Sequence, residues 1–487
     1  MSSFAGIDLG SSGIKIALVD EEGTCLATAS RRSQVDIPRP GWSQQDPEQW
    51  WALTKDIFDE LAAGHPEIMA GLSGVSLSGH MLGQVLLDEN DRPTTPCMLW
   101  NDQRSLAECD ELLERVPDIG WRTNGQPDPG LTAPKLLWLA KHDQKALQDA
   151  TVLMLPKDYV RLKLTGERAS EITDASGTMM LDCATGTWDD ALVEAAGWER
   201  GKLPHLLHSF DPAGQLRPEL CRRWSTPRTV KVAAGCGDNY AGALGVGAAS
   251  PGRAALSIGT SGVLSAVDGT FRPAPNHAIL TTPHAAPGTF LSMAVVMSAT
   301  QSLDWLSRLA RLPAGDLAEM AEHRIASVGV AGRPIARPSI TGVRTPDNRP
   351  DASAFFSGIT AAHDIADIAY SVLEGVAFQF LDGFSAQRSA GVPVAEVQAV
   401  GGGTHSRFWV SLMATLFDTD VSIPESGDIS ACLGASRLAH AATTPHERDA
   451  ILARQPVTRM IVSPVAAMRE PLMARHRAFR ALPFKTG

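Results

Sequence analysis

One turn written twice constrains this chain more than any other feature. Residues 4–20 read FAGIDLGSSGIKIALVD, and residues 254–268 read AALSIGTSGVLSAVD. Each stretch is an apolar run, a glycine, two hydroxyl residues, a glycine and a second apolar run. That pattern predicts a β-hairpin with strands over 4–10 and 13–20, and another hairpin beginning at Ala254. Asp8 aligns with Ser257, Gly10 with Gly259, Ser11 with Thr260, Ser12 with Ser261 and Gly13 with Gly262. A single Gly-Ser hairpin would be unremarkable. A match over successive positions, at an interval too long for a solenoid, implies two related domains that face each other.

Length agrees, because 487 residues exceed what one hydrophobic core usually organises. Strand-like runs at 72–78, 83–87 and 229–234 interleave with helix-like runs at 49–62, 103–115 and 133–141, which predicts an α/β architecture. Asp46, Pro47 and Gln49 form a helix start, with Asp46 as cap and Gln49 completing a capping box. Further helices are predicted over 364–388, 405–417 and 429–442, and 330–351 reads as a Pro/Arg-rich loop. The boundary falls near residue 247, after a Pro- and charge-rich stretch at 203–228, so the expected domains are 1–247 and 248–487.

The formal charge of −11 argues against nucleic acid as partner, since phosphate backbones reward clustered Lys and Arg. No apolar run approaches membrane-spanning length and no leader pattern stands at the N-terminus. Seven scattered cysteines without a C-x-x-C pair read as reduced thiols. The expectation is a cytoplasmic protein with a small-molecule substrate.

Turns of glycine and hydroxyl residues converge backbone N–H groups on one point, and such nests bind phosphate without a basic protein. Two of them on opposed domains could grip one polyphosphate from both sides. A third glycine element, Gly401-Gly402-Gly403, joins a strand over 396–400 to an amphipathic helix, but lacks the spacing of a dinucleotide or P-loop fingerprint. Downstream, Ala431, Gly434 and Ala435 put small residues on one helix, either to admit a flat ring or to let helices pack closely. Asp238 follows a strand and precedes a helix. It is either a capping residue or a carboxylate able to accept a proton from a substrate hydroxyl.

These segments together resemble the FGGY carbohydrate kinases over almost the whole chain, and within them the pentulose kinases. The resemblance rests on FAGIDLGSSGIKIALVDEEG, GWSQQDPEQWW, LWNDQRS, LTAPKLLWL, LPKDYVRLKLTGE, TDASGTMMLD, GCGDNYAGALGVG, LSIGTSGV, GVRTPDNRP and AVGGGTHSRFW, in the family's order. It implies a two-domain actin/ribonuclease-H-like fold with an interdomain cleft, and transfer of the γ-phosphoryl of ATP, with Mg²⁺, to a sugar or polyol hydroxyl. By position, Gly10, Ser11, Ser12, Gly13 and Lys15 become one side of the nucleotide site. Gly259, Thr260 and Ser261 become the other phosphate loop, and Gly402, Gly403, Ser406 and Gly434 the adenosine side. Asp238 becomes the catalytic base, Asp8 a catalytic carboxylate that also holds the metal, and Asn239, Trp100 and Asn101 sugar contacts. The resemblance also implies a homodimer.

One stretch departs from the family. Its pentulose kinases carry Gln-Met-His-Gly where this chain has His80-Met81-Leu82-Gly83. If the stretch is extended, His80 and Leu82 share a face and His80 partly substitutes as a sugar ligand beside Met81. If not, the pocket is more apolar and favours a different ketopentose or a pentitol. A different class, the actin- or Hsp70-like ATP-driven machine, shares the fold but would not need Asp238-Asn239 or the sugar-side motifs.

Overall fold

The first hairpin folds as its turn chemistry predicts. In the computed structural model, which describes residues 2–123, 125–425 and 427–486, strand Ser3–Leu9 pairs antiparallel with Gly13–Asp20. Strand Cys25–Arg32 adds beyond it, and Leu72–Gly79 lies parallel to Ser3–Leu9 on the other side. Lys231–Ala233 and then Pro212–Gln215 extend the sheet, while Cys236–Gly237 pairs with the end of Leu72–Gly79. The central strand is buried on both faces, as a strand covered by helices on both sides must be. Helix Pro47–Gly64 supplies one cover through Trp50, Ile57, Phe58 and Leu61. Removing each such side chain from water contributes about 1.5–3 kcal/mol.

The second half repeats this plan. Gly252–Ile258 pairs antiparallel with Gly262–Asp268, which pairs with Phe290–Val296 and, beyond it, Leu280–Pro283. Val394–Val400 lies parallel on the other side, followed by Val421–Pro424 and Thr458–Val462. Helix Ile365–Ser389 runs through this half, with most of its residues buried. The two sheets therefore share a core of three antiparallel strands flanked by a parallel one, which is the duplication expected from the turns.

Element types mostly agree with the sequence pattern and the ends differ by a few residues, but the 330–351 segment expected as a loop contains strand Ile335–Arg337, paired with Phe355–Ser357. The 103–115 run begins its helix at Leu106, and the 83–87 run is a strand only over Val85–Leu87. Asp46 caps its helix by accepting from the Glu48 amide, but no capping box forms. The Gln49 side chain instead accepts from the Gln34 amide at 2.8 Å, so it ties the helix to the preceding loop. Helix Ser430–Thr443 lies between the second sheet's strands Val421–Pro424 and Thr458–Val462 in the chain, yet packs on the first sheet. Phe4 stacks on His440 with ring centroids 4.2 Å apart, and Ala17 and Val19 pack against Cys432 and Leu433.

Candidate active site

Strand register brings the first half's carboxylates together. Asp8 stands beside Lys15 on one neighbouring strand and Ser78 on the other, and Ser78 in turn stands beside Cys236. Asp238 follows one residue past Gly237, so the two carboxylates stand at strand ends on either side of Leu72–Gly79. Asp8 does not satisfy the hairpin turn; its Oδ1 accepts from Ser78 Oγ at 3.2 Å. Nor is Asp238 a helix cap. Gly237 takes that position, Asp238 opens helix Asp238–Gly245, and its Oδ1 accepts from the next amide, Asn239, at 2.7 Å. Burial raises the Asp238 pKa to about 7, with the Asp8 charge adding to the effect. Burial likewise raises Asp8, opposed by Ser78 and Lys15.

The two turns differ in how they are held. Gly10 and Gly13 exchange backbone bonds, and the Ser11 carbonyl accepts from Gln45 Nε2 at 2.8 Å. In the second hairpin Ile258 pairs with Gly262 and the Gly259 amide donates to the Ser261 carbonyl, so the turn is one residue tighter. The carbonyls of Gly259 and Thr260 accept from the amides of Ala299, Thr300 and Gln301, where helix Thr300–Ala310 begins. The amides of Ser11, Ser12, Thr260 and Ser261 have no protein partner among the described residues, and Ser12, Thr260 and Ser261 are exposed. They are available to an anion.

Beyond the second turn lies a cavity of about 760 Å³ lined by Thr300, Asp304, Gly402, Gly403, Ser406 and Trp409, among others. Gly402 is exposed there and Gly403 is buried against Ile258, whose side chain an added Cβ would strike. The Ser406 hydroxyl is engaged as a cap, accepting from the Trp409 amide at 3.2 Å. Gly434 lies elsewhere, at the crossing of helices Ser430–Thr443 and Asp238–Gly245, where a Cβ would overlap the Ala241 carbonyl. Close helix packing, the second of its two readings, accounts for its lack of a side chain.

On the sugar side the extended reading of 80–82 does not hold. The strand ends at Gly79, and Leu82 has a left-handed φ of 75°. His80 is buried with its ring edge-on to Trp50, 5.1 Å between centroids, and neither ring nitrogen has a partner among the described residues. Burial pushes its pKa down to about 3, so it is a neutral imidazole. Met81 lies against Gly237, next to Asp238. Trp100 is 49% exposed although large and apolar, Asn101 and Asn239 are exposed, and Asp102 is buried, binding the Ser43 amide and the Arg104 side chain.

Among the described residues no three His, Cys, Asp or Glu side chains gather into a metal cage. Asp8 and Asp238 supply only carboxylate oxygen, the donor type a hard cation such as Mg²⁺ takes alongside water and phosphate.

Models of the N-terminal and C-terminal domains of the FGGY family of carbohydrate kinases match residues 3–245 and 254–443. The chain belongs to the FGGY family of carbohydrate kinases. It is 39% identical over 439 residues to a xylulose kinase of Klebsiella pneumoniae, covering 90% of each chain. It is 38% identical over 448 residues to the xylulose kinase of Escherichia coli, covering 91% of each. The crystal structure titled a xyloylose kinase from Brucella ovis superposes with a TM-score of 0.95, at 37% identity and 98% coverage of both chains. This FGGY kinase is therefore an ATP-using carbohydrate kinase, with the two-domain α/β sugar-kinase fold. No helix among its described residues is long and apolar enough to cross a membrane.

The sequence reading passed over several residues that shape this kinase's site. Ser78 is the partner of Asp8, and only the parallel pairing of Leu72–Gly79 with Ser3–Leu9 shows it. Gln45 sits within the GWSQQD stretch, but its grip on the Ser11 carbonyl spans 34 residues. Thr173 opens the TDASGTMMLD stretch, but that its hydroxyl accepts from the Gly237 amide at 3.1 Å and so fixes the residue before Asp238 shows only in the fold.

Proposed function

We propose that this FGGY kinase transfers the γ-phosphoryl of Mg-ATP to a hydroxyl of D-xylulose, giving D-xylulose 5-phosphate. The observation that carries the reading is the Asp238 carboxyl, in no ion pair among the described residues, with a pKa near 7 and close enough to Asp8 to feel its charge. A base with that pKa is about half ionised near pH 7, more so above it, and takes a proton readily. The sugar hydroxyl gives its proton to Asp238 as its oxygen attacks phosphorus. The amides of Ser11 and Ser12 from one domain, and of Thr260 and Ser261 from the other, hold the charge spread over the phosphoryl oxygens. Asp8 would hold Mg²⁺ through water, and the bound ion supplies neutralisation of the polyphosphate. Adenosine fits the cavity beside Gly402 and Gly403. With sugar on the first domain and nucleotide on the second, closure joins them and expels competing water.

The relatives named as xylulose kinases support the sugar. Leu82, apolar and next to the Met81 that borders Asp238, favours a second reading in which another ketopentose or a pentitol is preferred. ADP release across D-xylulose, other ketopentoses, pentitols and glycerol decides between them. D-xylulose should give the highest kcat/KM; a pentitol ahead of it would establish the second reading, and turnover without any sugar would sink both. All seven cysteines are unpaired, which supports a reducing cytoplasmic setting. Sedimentation of the purified protein tests the homodimer that the family resemblance leads us to propose.

A further inference from the structure

A fully buried ammonium lies behind the proposed sugar pocket and has no carboxylate within ion-pair distance. Lys135, on helix Thr132–His142, is 0% exposed and takes part in no ion pair among the described residues. Its Nζ donates to two backbone carbonyls, Leu82 at 3.0 Å and Met98 at 3.0 Å. Thr132 Oγ1 donates to the same Leu82 carbonyl at 3.0 Å. Leu82 itself holds the left-handed φ of 75°, a conformation that costs a side-chain-bearing residue about 1–2 kcal/mol and persists only where the surroundings enforce it. The Leu82 loop carries His80 and Met81 up to Gly237. Met98 ends the short strand Cys97–Met98, two residues before the exposed Trp100 and Asn101.

Burying an ammonium with Asp102 and Asp128 acting on it only from beyond ion-pair distance is costly, and burial lowers its pKa to about 8; an apolar residue of the same length would pack there without that cost. What the ammonium provides instead is a second clamp between the Leu82 turn and the Met98 segment, beside Gln84, whose side chain accepts from the Met98 amide and donates to the Pro96 carbonyl, each at 3.3 Å. Lysine's compact head with three donors suits two converging carbonyls better than the planar fork of arginine.

We propose that Lys135 is a positioning residue that sets sugar specificity. Through one ammonium it fixes the left-handed Leu82 turn against the Trp100-Asn101 loop, and Thr132 reinforces the grip. This rests on the reading of those loops as the sugar side. Loss of the clamp leaves the two loops held through the longer Gln84 contacts, so they move more freely against each other, and sugar affinity and discrimination suffer while the nucleotide side is untouched.

The test compares wild type with Lys135→Met and with Thr132→Val, which removes only the auxiliary donor. Steady-state kinetics and amide hydrogen exchange are measured on each full-length protein. Lys135→Met should raise KM for D-xylulose about tenfold, the worth of one charged hydrogen bond. It should also flatten the ketopentose preference, with KM for ATP within about twofold of wild type. Exchange should quicken together at 80–83 and 98–101. Thr132→Val should shift sugar KM in the same direction by about threefold or less, and it carries the test if Lys135→Met does not fold. Unchanged sugar KM, or KM for ATP rising in parallel, overturns the proposal. Faster exchange confined to helix Thr132–His142 also overturns it. Wild type without turnover on any sugar instead refutes the functional reading, and the exchange result then still decides whether the clamp exists.

Discussion

The two glycine turns began as copies and now do unlike work. The first sits among carboxylates: Asp8 is two residues before it, and Asp238 is on a nearby strand end. The second has Ser257 at the matching place, and its carbonyls are tied to the start of helix Thr300–Ala310, beside the cavity at Gly402-Gly403. Its hairpin closes one residue tighter, so Ser257 stands opposite Val263, whereas Asp8 stands opposite Lys15. One phosphoryl transfer needs one base and one metal-side carboxylate. A second acidic pair would only repel the polyphosphate. Duplicated backbone geometry can thus be kept while the charges around it diverge.

Replacing charges on each side puts that division to the test. The largest effect is expected at Asp238→Asn, with kcat reduced about 10²–10⁴-fold, the range for losing a general base, and KM for ATP nearly unchanged. The same variant should melt at higher temperature near pH 8. The folded state holds the Asp238 proton up to about pH 7, while the unfolded chain releases it near the ordinary carboxylate value. Stability therefore falls as pH rises through that window, and asparagine removes the loss. Calorimetry at pH 5 and pH 8 checks this, and a variant less stable than wild type at pH 8 contradicts it.

Next in size is the pH profile of wild type. Below pH 7, kcat/KM should fall about tenfold per unit as Asp238 takes its proton, and Asp238→Asn should lack that limb. Ser257→Asp should then raise KM for ATP about tenfold through like-charge repulsion near the phosphates. If Asp is tolerated there without change, the contrast between the turns is wrong.

The smallest effect separates the glycines themselves. Gly259 has room for a methyl group, whereas a Cβ on Gly262 would strike the buried Phe380 ring. Gly262→Ala should lose about 1–3 kcal/mol of stability by overpacking, and Gly259→Ala should leave melting within a degree or two. Thermal denaturation of the pair measures the difference.

The fold was largely legible because its signals are periodic and local. The hairpins, the Pro47–Gly64 and Ile365–Ser389 helices and the duplication all show in apolar spacing and turn residues. What the sequence could not give depends on register and crossing. That Asp8 meets Ser78 follows from a parallel pairing 70 residues apart. The Leu82 turn was missed because leucine carries no propensity for positive φ; two donors on its carbonyl hold it there. Gln49 fits a capping box by spacing, but a loop amide competes for its side chain and wins.

The helix that leaves the second half to lie on the first has a consequence for how this chain is made. Gly6 and Gly74 present bare backbone to the carbonyls of Cys432 and Ala439, a fit that only helix Ser430–Thr443 completes. The first sheet is translated early, but that face stays open until residue 443 has left the ribosome. At ~5–20 residues per second, roughly 200 residues of further synthesis take about 10–40 s. Throughout that interval the nascent N-terminal half displays an apolar sheet face, a natural substrate for chaperones. Truncation anywhere before helix Ser430–Thr443 would leave it so permanently.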